Sequence, residues 1–128
     1  MEAGFKKLKV YKLSYELAMQ IFAVSKAFPI EEKYSLTDQI RRSSRSINAN
    51  IAEAYRKRIY PNHFISKMTD ADTECSETSV WLDFAYDCNY ISESSHKELI
   101  EGYSQVGKMI GYMIKYPEKF APKNKQSP

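Results

Sequence analysis

Apolar side chains recur along this chain at spacings of three and four, in four stretches separated by prolines or polar caps. In the first stretch Leu13, Leu17, Ile21, Val24 and Phe28 form the stripe that an amphipathic helix turns toward a core. Tyr11, Tyr15, Ala18 and Phe22 form a second stripe beside it and widen the expected buried face. The spacing predicts a helix over 10–28, stopped at Pro29 because the residue before a proline is disfavoured in the helical region. In the second stretch Ile40, Ser44, Ile47, Ile51 and Ala54 predict a helix over 36–58. Ser35-Leu36-Thr37-Asp38 resembles a capping box, with Ser35 accepting from an orphan N–H and Asp38 at the positive helix end.

The third stretch, Phe64, Met68, Ala71, Cys75, Thr78, Leu82, Ala85 and Asn89, alternates spacings of four and three throughout. It predicts a long bundle helix over 62–91, opened by Pro61 in its first turn. In the fourth, Leu99, Tyr103, Val106, Ile110 and Met113 predict a helix over 93–116, ended by Pro117. Gly107 and Gly111 lie on one face of it and offer a neighbouring backbone a close approach. Four amphipathic helices with short links imply an all-α, antiparallel, up-down-up-down four-helix bundle over residues 1–116. Residues 117–128 remain as a basic tail expected to be disordered, Ala121–Pro128 being polar and flanked by proline. No internal repeat and no second domain are visible.

Composition narrows the class. The 128 residues suffice for a core without metals or disulfides, since a chain of this size buries roughly two-thirds of its unfolded surface. Only 4 Gly and 5 Pro argue against a turn-rich β fold. No apolar run approaches the roughly 18 residues of a membrane span, so no membrane partner is expected. Met1–Val10 lacks an apolar h-region and a small-residue cleavage site, so no signal peptide and a cytoplasmic location are expected. Cys75 and Cys88 point to different faces of one predicted helix and cannot pair; they read as buried free thiols.

Candidate chemistry is sparse. Glu93-Ser94-Ser95-His96 has the Glu-x-x-His spacing of di-iron bundles, but those need two such motifs and two more carboxylates. Asp70-Ala71-Asp72-Thr73-Glu74 starts like a calcium loop but lacks its glycine and lies within a helix. Asp70, Glu74 and Glu77 share a helix face, where an ion-pair stripe is the stronger reading than a metal site. His63 and His96 have no triad-like neighbours. The expectation is a protein that is not an enzyme and holds no cofactor or metal.

Charge is informative through its placement. The net charge is only +3, yet residues 41–58 carry six cations against Glu53 alone, and residues 62–91 carry six acids against Lys67. Arg42, Arg45, Ala49, Ala52 and Arg56 line one helix face, with arginines at both ends of a small-residue strip. Arginine's planar fork suits phosphate oxygens and carboxylates alike. Arg41, Arg45, Arg56, Lys57 and Arg58 are therefore the candidate nucleic-acid-binding residues, with the Lys6–Lys12 arm as a possible auxiliary. Gln39, Arg42, Asn50, Glu53 and Glu77 read instead as a structural polar network, Arg42 pairing with Glu77 or Glu74. The ten tyrosines read as packing.

Phe28-Pro29, Tyr34 through Arg42, and Ser46 through Ala54 resemble the four-helix-bundle family first described from intervening sequences in bacterial 23S ribosomal RNA genes. Accessory proteins of diversity-generating retroelements belong to the same group. Glu77-Thr78, Trp81-Leu82, Ala85 and Asn89-Tyr90-Ile91-Ser92 match its third helix and following turn, and the resemblance spans about Leu8 to Ile114. Many members carry Pro where Asn48 stands and Gly where Ala54 stands, so helix two is expected to run unbroken here. The resemblance implies a homopentameric ring. It leaves two functions open: an oligomeric protein that binds structured RNA or a ribonucleoprotein, and a ring-shaped protein-interaction scaffold without nucleic acid.

Overall fold

In a computed structural model, residues 4–123 are described. They form α1 (Lys9–Ser25), α2 (Leu36–Arg56), α3 (Pro61–Asp87) and α4 (Glu93–Lys115), with 3₁₀ turns at Gly4–Lys7, Ile30–Glu32 and Pro117–Lys119 and no strand among the described residues. Each helix packs on the next in the chain and α1 closes on α4, so α1 faces α3, and α2 faces α4, only across the core. This is the predicted antiparallel four-helix bundle.

The predicted stripes of α2, α3 and α4 are buried apart from Asn89, but the inner face of α1 is rotated. Leu13 and Val24 sit half-buried at its edge, whereas Ser14 and Ser25 are buried inside it. Tyr15 and Met19 are 55% and 51% exposed, so that side of the helix faces outward. Hydrogen bonding explains the rotation. Ser14 Oγ donates to Asn48 Oδ1 at 2.9 Å, and Asn48 Nδ2 donates to the Tyr11 carbonyl at 3.0 Å. Small polar residues thus let α1 and α2 approach while satisfying each other. Thr78 Oγ1 and Ser43 Oγ form a second buried clamp, at 2.9 Å, between α3 and α2.

Helix ends differ from the predicted ones for local reasons. α1 stops at Ser25 because Lys26, Ala27 and Phe28 donate to carbonyls three residues back and tighten the chain before Pro29. Ser35 does not cap α2 through its hydroxyl; it donates to Glu32 Oε1 at 2.5 Å, and that same oxygen accepts the Leu36 N–H at 3.4 Å. The Glu32 carboxylate, held below its usual pKa by Ser35 and Tyr90, takes the place of the predicted box. α3 ends at Asp87, four residues early, because Asn89 turns left-handed at φ 64°. Tyr90 N–H then reaches the Ala85 carbonyl at 2.8 Å and Asn89 N–H the Tyr86 carbonyl at 2.9 Å, a Schellman motif. Asn89 is therefore a cap, exposed, and not a core position.

Three further expectations are corrected. A Cβ at Gly107 or Gly111 would meet nothing, so the close approach lies elsewhere: at Gly102 a Cβ would fall 2.5 Å from Leu17 Cδ2. The start of the tail is packed, with the Phe120 ring stacked on Phe64 at 6.0 Å; residues 124–128, the rest of the segment expected to be disordered, lie outside the described residues. Cys75 is buried as expected, and its thiol is pushed up to about 11 by burial; Cys88, also expected to be buried, is exposed, because it lies off the core face that carries Cys75. Among the described residues no helix is long and apolar enough to cross a membrane.

Candidate nucleic-acid interface

α2 carries its cations in two groups. Near its start Arg41, Arg42 and Arg45 line a shallow groove of about 610 Å³ together with Lys33, Tyr34 and Asp38. At its end stand Arg56, Lys57 and Arg58, where the negative end of the helix dipole favours cations. Arg45 and Arg56 are separated by about 16 Å of helix, at 1.5 Å per residue. The five predicted phosphate-binding residues thus do not form one patch, although Ala49 and Ala52 do form the small strip between them.

Within the first group the arginines have different roles. Arg41 Nε donates to Ser25 Oγ at 2.8 Å and its guanidinium lies 5.0 Å from the centre of the Phe22 ring, so it braces α2 against α1. Arg45 is exposed and approaches the same ring at 5.7 Å. Arg42 is engaged across the bundle: it reaches Glu77 Oε1 at 2.6 Å, Glu74 Oε1 at 3.5 Å and Gln39 at 3.4 Å. Trp81 Nε1 donates to the same Glu77 oxygen at 3.3 Å. Burial works against the Arg42 charge, but Glu77 and Glu74 outweigh it and raise its pKa. Glu74 is raised as well, by burial first and then by Glu77, with Arg42 opposing.

The predicted polar network therefore divides. Gln39, Arg42 and Glu77 belong together with Glu74. Glu53 instead pairs with Lys67 at 2.9 Å, which also approaches Asp70 at 3.8 Å, and Lys67 holds the Glu53 carboxyl low. The Asn50 side chain makes no hydrogen bond among the described residues; the buried amide that matters is Asn48, two residues earlier and on the opposite side of the helix from the face that reading singled out. Asp70, Glu74 and Glu77 are thus divided between Lys67 and Arg42, and no cluster of three or more potential metal ligands occurs among the described residues. His96 of the Glu-x-x-His motif contacts Asp83 at 2.8 Å and stacks on Tyr86 at 4.6 Å, which ties α4 to α3.

At the end of α2, Arg56 and Lys57 are exposed and make no ion pair among the described residues. Arg58 folds back instead, donating to the Tyr55 carbonyl at 2.9 Å and stacking on the Tyr55 ring at 3.8 Å. Reading the tyrosines as packing overlooked Tyr34, which is 83% exposed beside the first arginine group, and Lys33 next to it. Their position between α1 and α2, on no core stripe, was the available signal.

Residues 6–112 match the family described as 23S rRNA-intervening sequence protein. The chain belongs to that family. A solved structure from Bacteroides thetaiotaomicron VPI-5482, described as a protein with unknown function from the S23 ribosomal protein family, is 31% identical, with a TM-score of 0.75 over 83% of this chain and 95% of that one. No curated protein matches this chain. The matched span contains both arginine groups of this 23S rRNA-intervening sequence protein. Its α2 runs unbroken through Asn48, as the absence of proline there leads one to expect.

Proposed function

We propose that this 23S rRNA-intervening sequence protein is a non-enzymatic, oligomeric, cytoplasmic RNA-binding accessory protein. The observation that carries the reading is the contrast between Arg42, engaged by two carboxylates, and Arg56 and Lys57, exposed with none at ion-pair distance among the described residues, Lys57 acting on Glu53 only from farther off. Exposed cations left unpaired on a protein with six acids on its neighbouring helix suit an external polyanion. No base-reading arrangement accompanies them, so affinity for RNA rests on phosphates and its sequence preference is slight.

Titrating structured RNA against salt tests this. Binding at low ionic strength should weaken with a log–log slope of about −0.7 to −0.9 per phosphate neutralised. Replacing Arg56, Lys57 and Arg58 together with Ala should flatten the slope while helicity and assembly persist. Salt-insensitive binding, or none at low ionic strength, would replace this reading with that of a protein-interaction scaffold.

Assembly belongs to the same proposal. Tyr15 and Met19 on α1, and Val80 and Phe84 on α3, are exposed on helices that lie across the core from each other. Apolar groups on opposite sides of a subunit suit a head-to-tail contact, and a ring closes such contacts. Five subunits is the number the family resemblance implies.

A further inference from the structure

The two ends of the bundle differ in charge. The antiparallel topology gathers the start of α1, the end of α2, the start of α3 and the end of α4 at one end. The segments 4–12, 54–63 and 108–123 that meet there carry eleven Lys and Arg and a single acid, Glu118, so that end is strongly positive. At the other end, segments 25–45 and 83–101 carry eight Asp and Glu against Lys26, Lys33, Arg41, Arg42, Arg45 and Lys97, so it is weakly negative. Charges far apart in the chain thus become a dipole along the bundle axis.

Specific contacts hold the positive end together. The Gly4–Lys7 turn sits on the last turn of α2: a Cβ at Gly4 would fall 2.5 Å from the Tyr55 hydroxyl oxygen. The edge contact between Phe5 and Tyr11, at 5.2 Å, fixes the same turn to α1. Arg58 stacks on Tyr55, so one ring carries Arg58 and receives the turn that presents Lys6 and Lys7. Both lysines are exposed. On the α4 side, Lys119 Nζ donates to the Tyr112 hydroxyl at 2.8 Å, and Phe120 stacks on Phe64 in the first turn of α3. These three chain segments are therefore anchored, with their cations, at one end of the bundle.

We propose that this positive end, with Lys6 and Lys7 joined to Arg56 and Lys57, is the surface on which the RNA backbone docks, and that the groove at Arg41 and Arg45 lies outside it. This rests on the RNA-binding reading and narrows it to one end of the molecule. Arg41 is occupied with Ser25 and Phe22 and Arg42 with Glu77 and Glu74, so most of the guanidinium groups that line this groove are already engaged.

Fluorescence anisotropy with a labelled hairpin RNA over a series of salt concentrations tests the assignment, using the full chain, a Lys6→Gln/Lys7→Gln double variant and an Arg45→Gln variant. The double variant should weaken binding at least about tenfold and reduce the salt slope by about 1.4 to 1.8, the contribution of two phosphate contacts. Arg45→Gln should leave both quantities unchanged. A Gly4→Val variant, which lifts the turn off Tyr55 and keeps every charge, should reproduce part of the loss. Circular dichroism of each variant guards against misfolding, and exposed lysines with no described partner should tolerate glutamine. Wild-type affinity in the double variant, or a loss confined to Arg45→Gln, would overturn the positive end as the dock while leaving RNA binding itself in place. Absence of wild-type binding would defeat the RNA reading and this inference together.

Discussion

Tyr103 shows how a single side chain can be both core and liability. It is 1% exposed, and its hydroxyl has no hydrogen-bond partner among the described residues. Burial pushes its phenol pKa far up, so it stays neutral, but the unsatisfied O–H still costs desolvation. Tyr103→Phe keeps the ring and removes that cost, and should be neutral or stabilising by about 1 kcal/mol, read as a raised Tm. Asn48 is the opposite case. Its amide gives to the Tyr11 carbonyl and accepts from Ser14. Asn48→Ala would orphan both groups at the α1–α2 seam and should cost about 1–3 kcal/mol in urea unfolding. A cost below half a kcal/mol would mean that water replaces the amide. Neither property is visible from spacing alone. An apolar stripe says that Tyr103 goes inside; it does not say whether its hydroxyl finds a partner there. Ser14, Ser25 and Asn48 lie off the apolar stripes, and only the register of α1 on α2 shows that they are buried, Ser14 against Asn48 and Ser25 under Arg41.

Between elements, the joint of α2 and α3 rests on one arginine shared by two carboxylates. With Arg42 present, Glu74 is already raised by burial and by Glu77. A carboxyl raised in the folded state favours folding below its unfolded pKa and opposes it as pH rises through the folded value. Removing Arg42 enlarges that rise, so Arg42→Ala should destabilise the bundle more near neutral pH than near pH 4. Arg42 is about half exposed, so solvent screening limits the loss at pH 7 to about 1 kcal/mol. Thermal melts at the two pH values decide the matter, because an equal loss at both would assign the effect to packing of the arginine stem. This pairing was legible in advance: a basic helix followed by an acidic one in a short-linked antiparallel pair must place opposite charges side by side. The end of α3 was less so. The spacing of its apolar residues continues to Asn89, and the backbone leaves the helix two residues earlier because an asparagine tolerates the left-handed conformation and the Tyr90 N–H finds the Ala85 carbonyl. Likewise the cap of α2 comes from Glu32, outside the helix motif that suggested Ser35 and Asp38.

For the whole molecule, the decisive geometry is that α1 and α3 lie across the core from each other while both expose apolar side chains. Met19 on α1 and Phe84 on α3 are 51% and 55% exposed, and one subunit cannot cover either with the other. A two-fold contact would pair like with like, α1 on α1 or α3 on α3, and would leave one of the two faces bare. A head-to-tail contact covers both, and it is the arrangement that repeats the positive end around a ring. On the proposed RNA-binding function such repetition would matter, because one positive end offers few phosphate contacts and several acting on one RNA gain by avidity. Light scattering at tens of micromolar should therefore show a closed oligomer, and Met19→Glu or Phe84→Glu should each give a folded monomer with weakened RNA binding. Mixing the two variants distinguishes the modes of contact. In a head-to-tail interface the α1 face intact in Phe84→Glu meets the α3 face intact in Met19→Glu, and the mixture yields dimers and nothing larger. If the interface is two-fold, only the variant whose face forms it becomes monomeric, and mixing with the other builds no new species. If wild type itself remains monomeric under these conditions, the ring fails, and RNA affinity must come from one subunit's positive end alone.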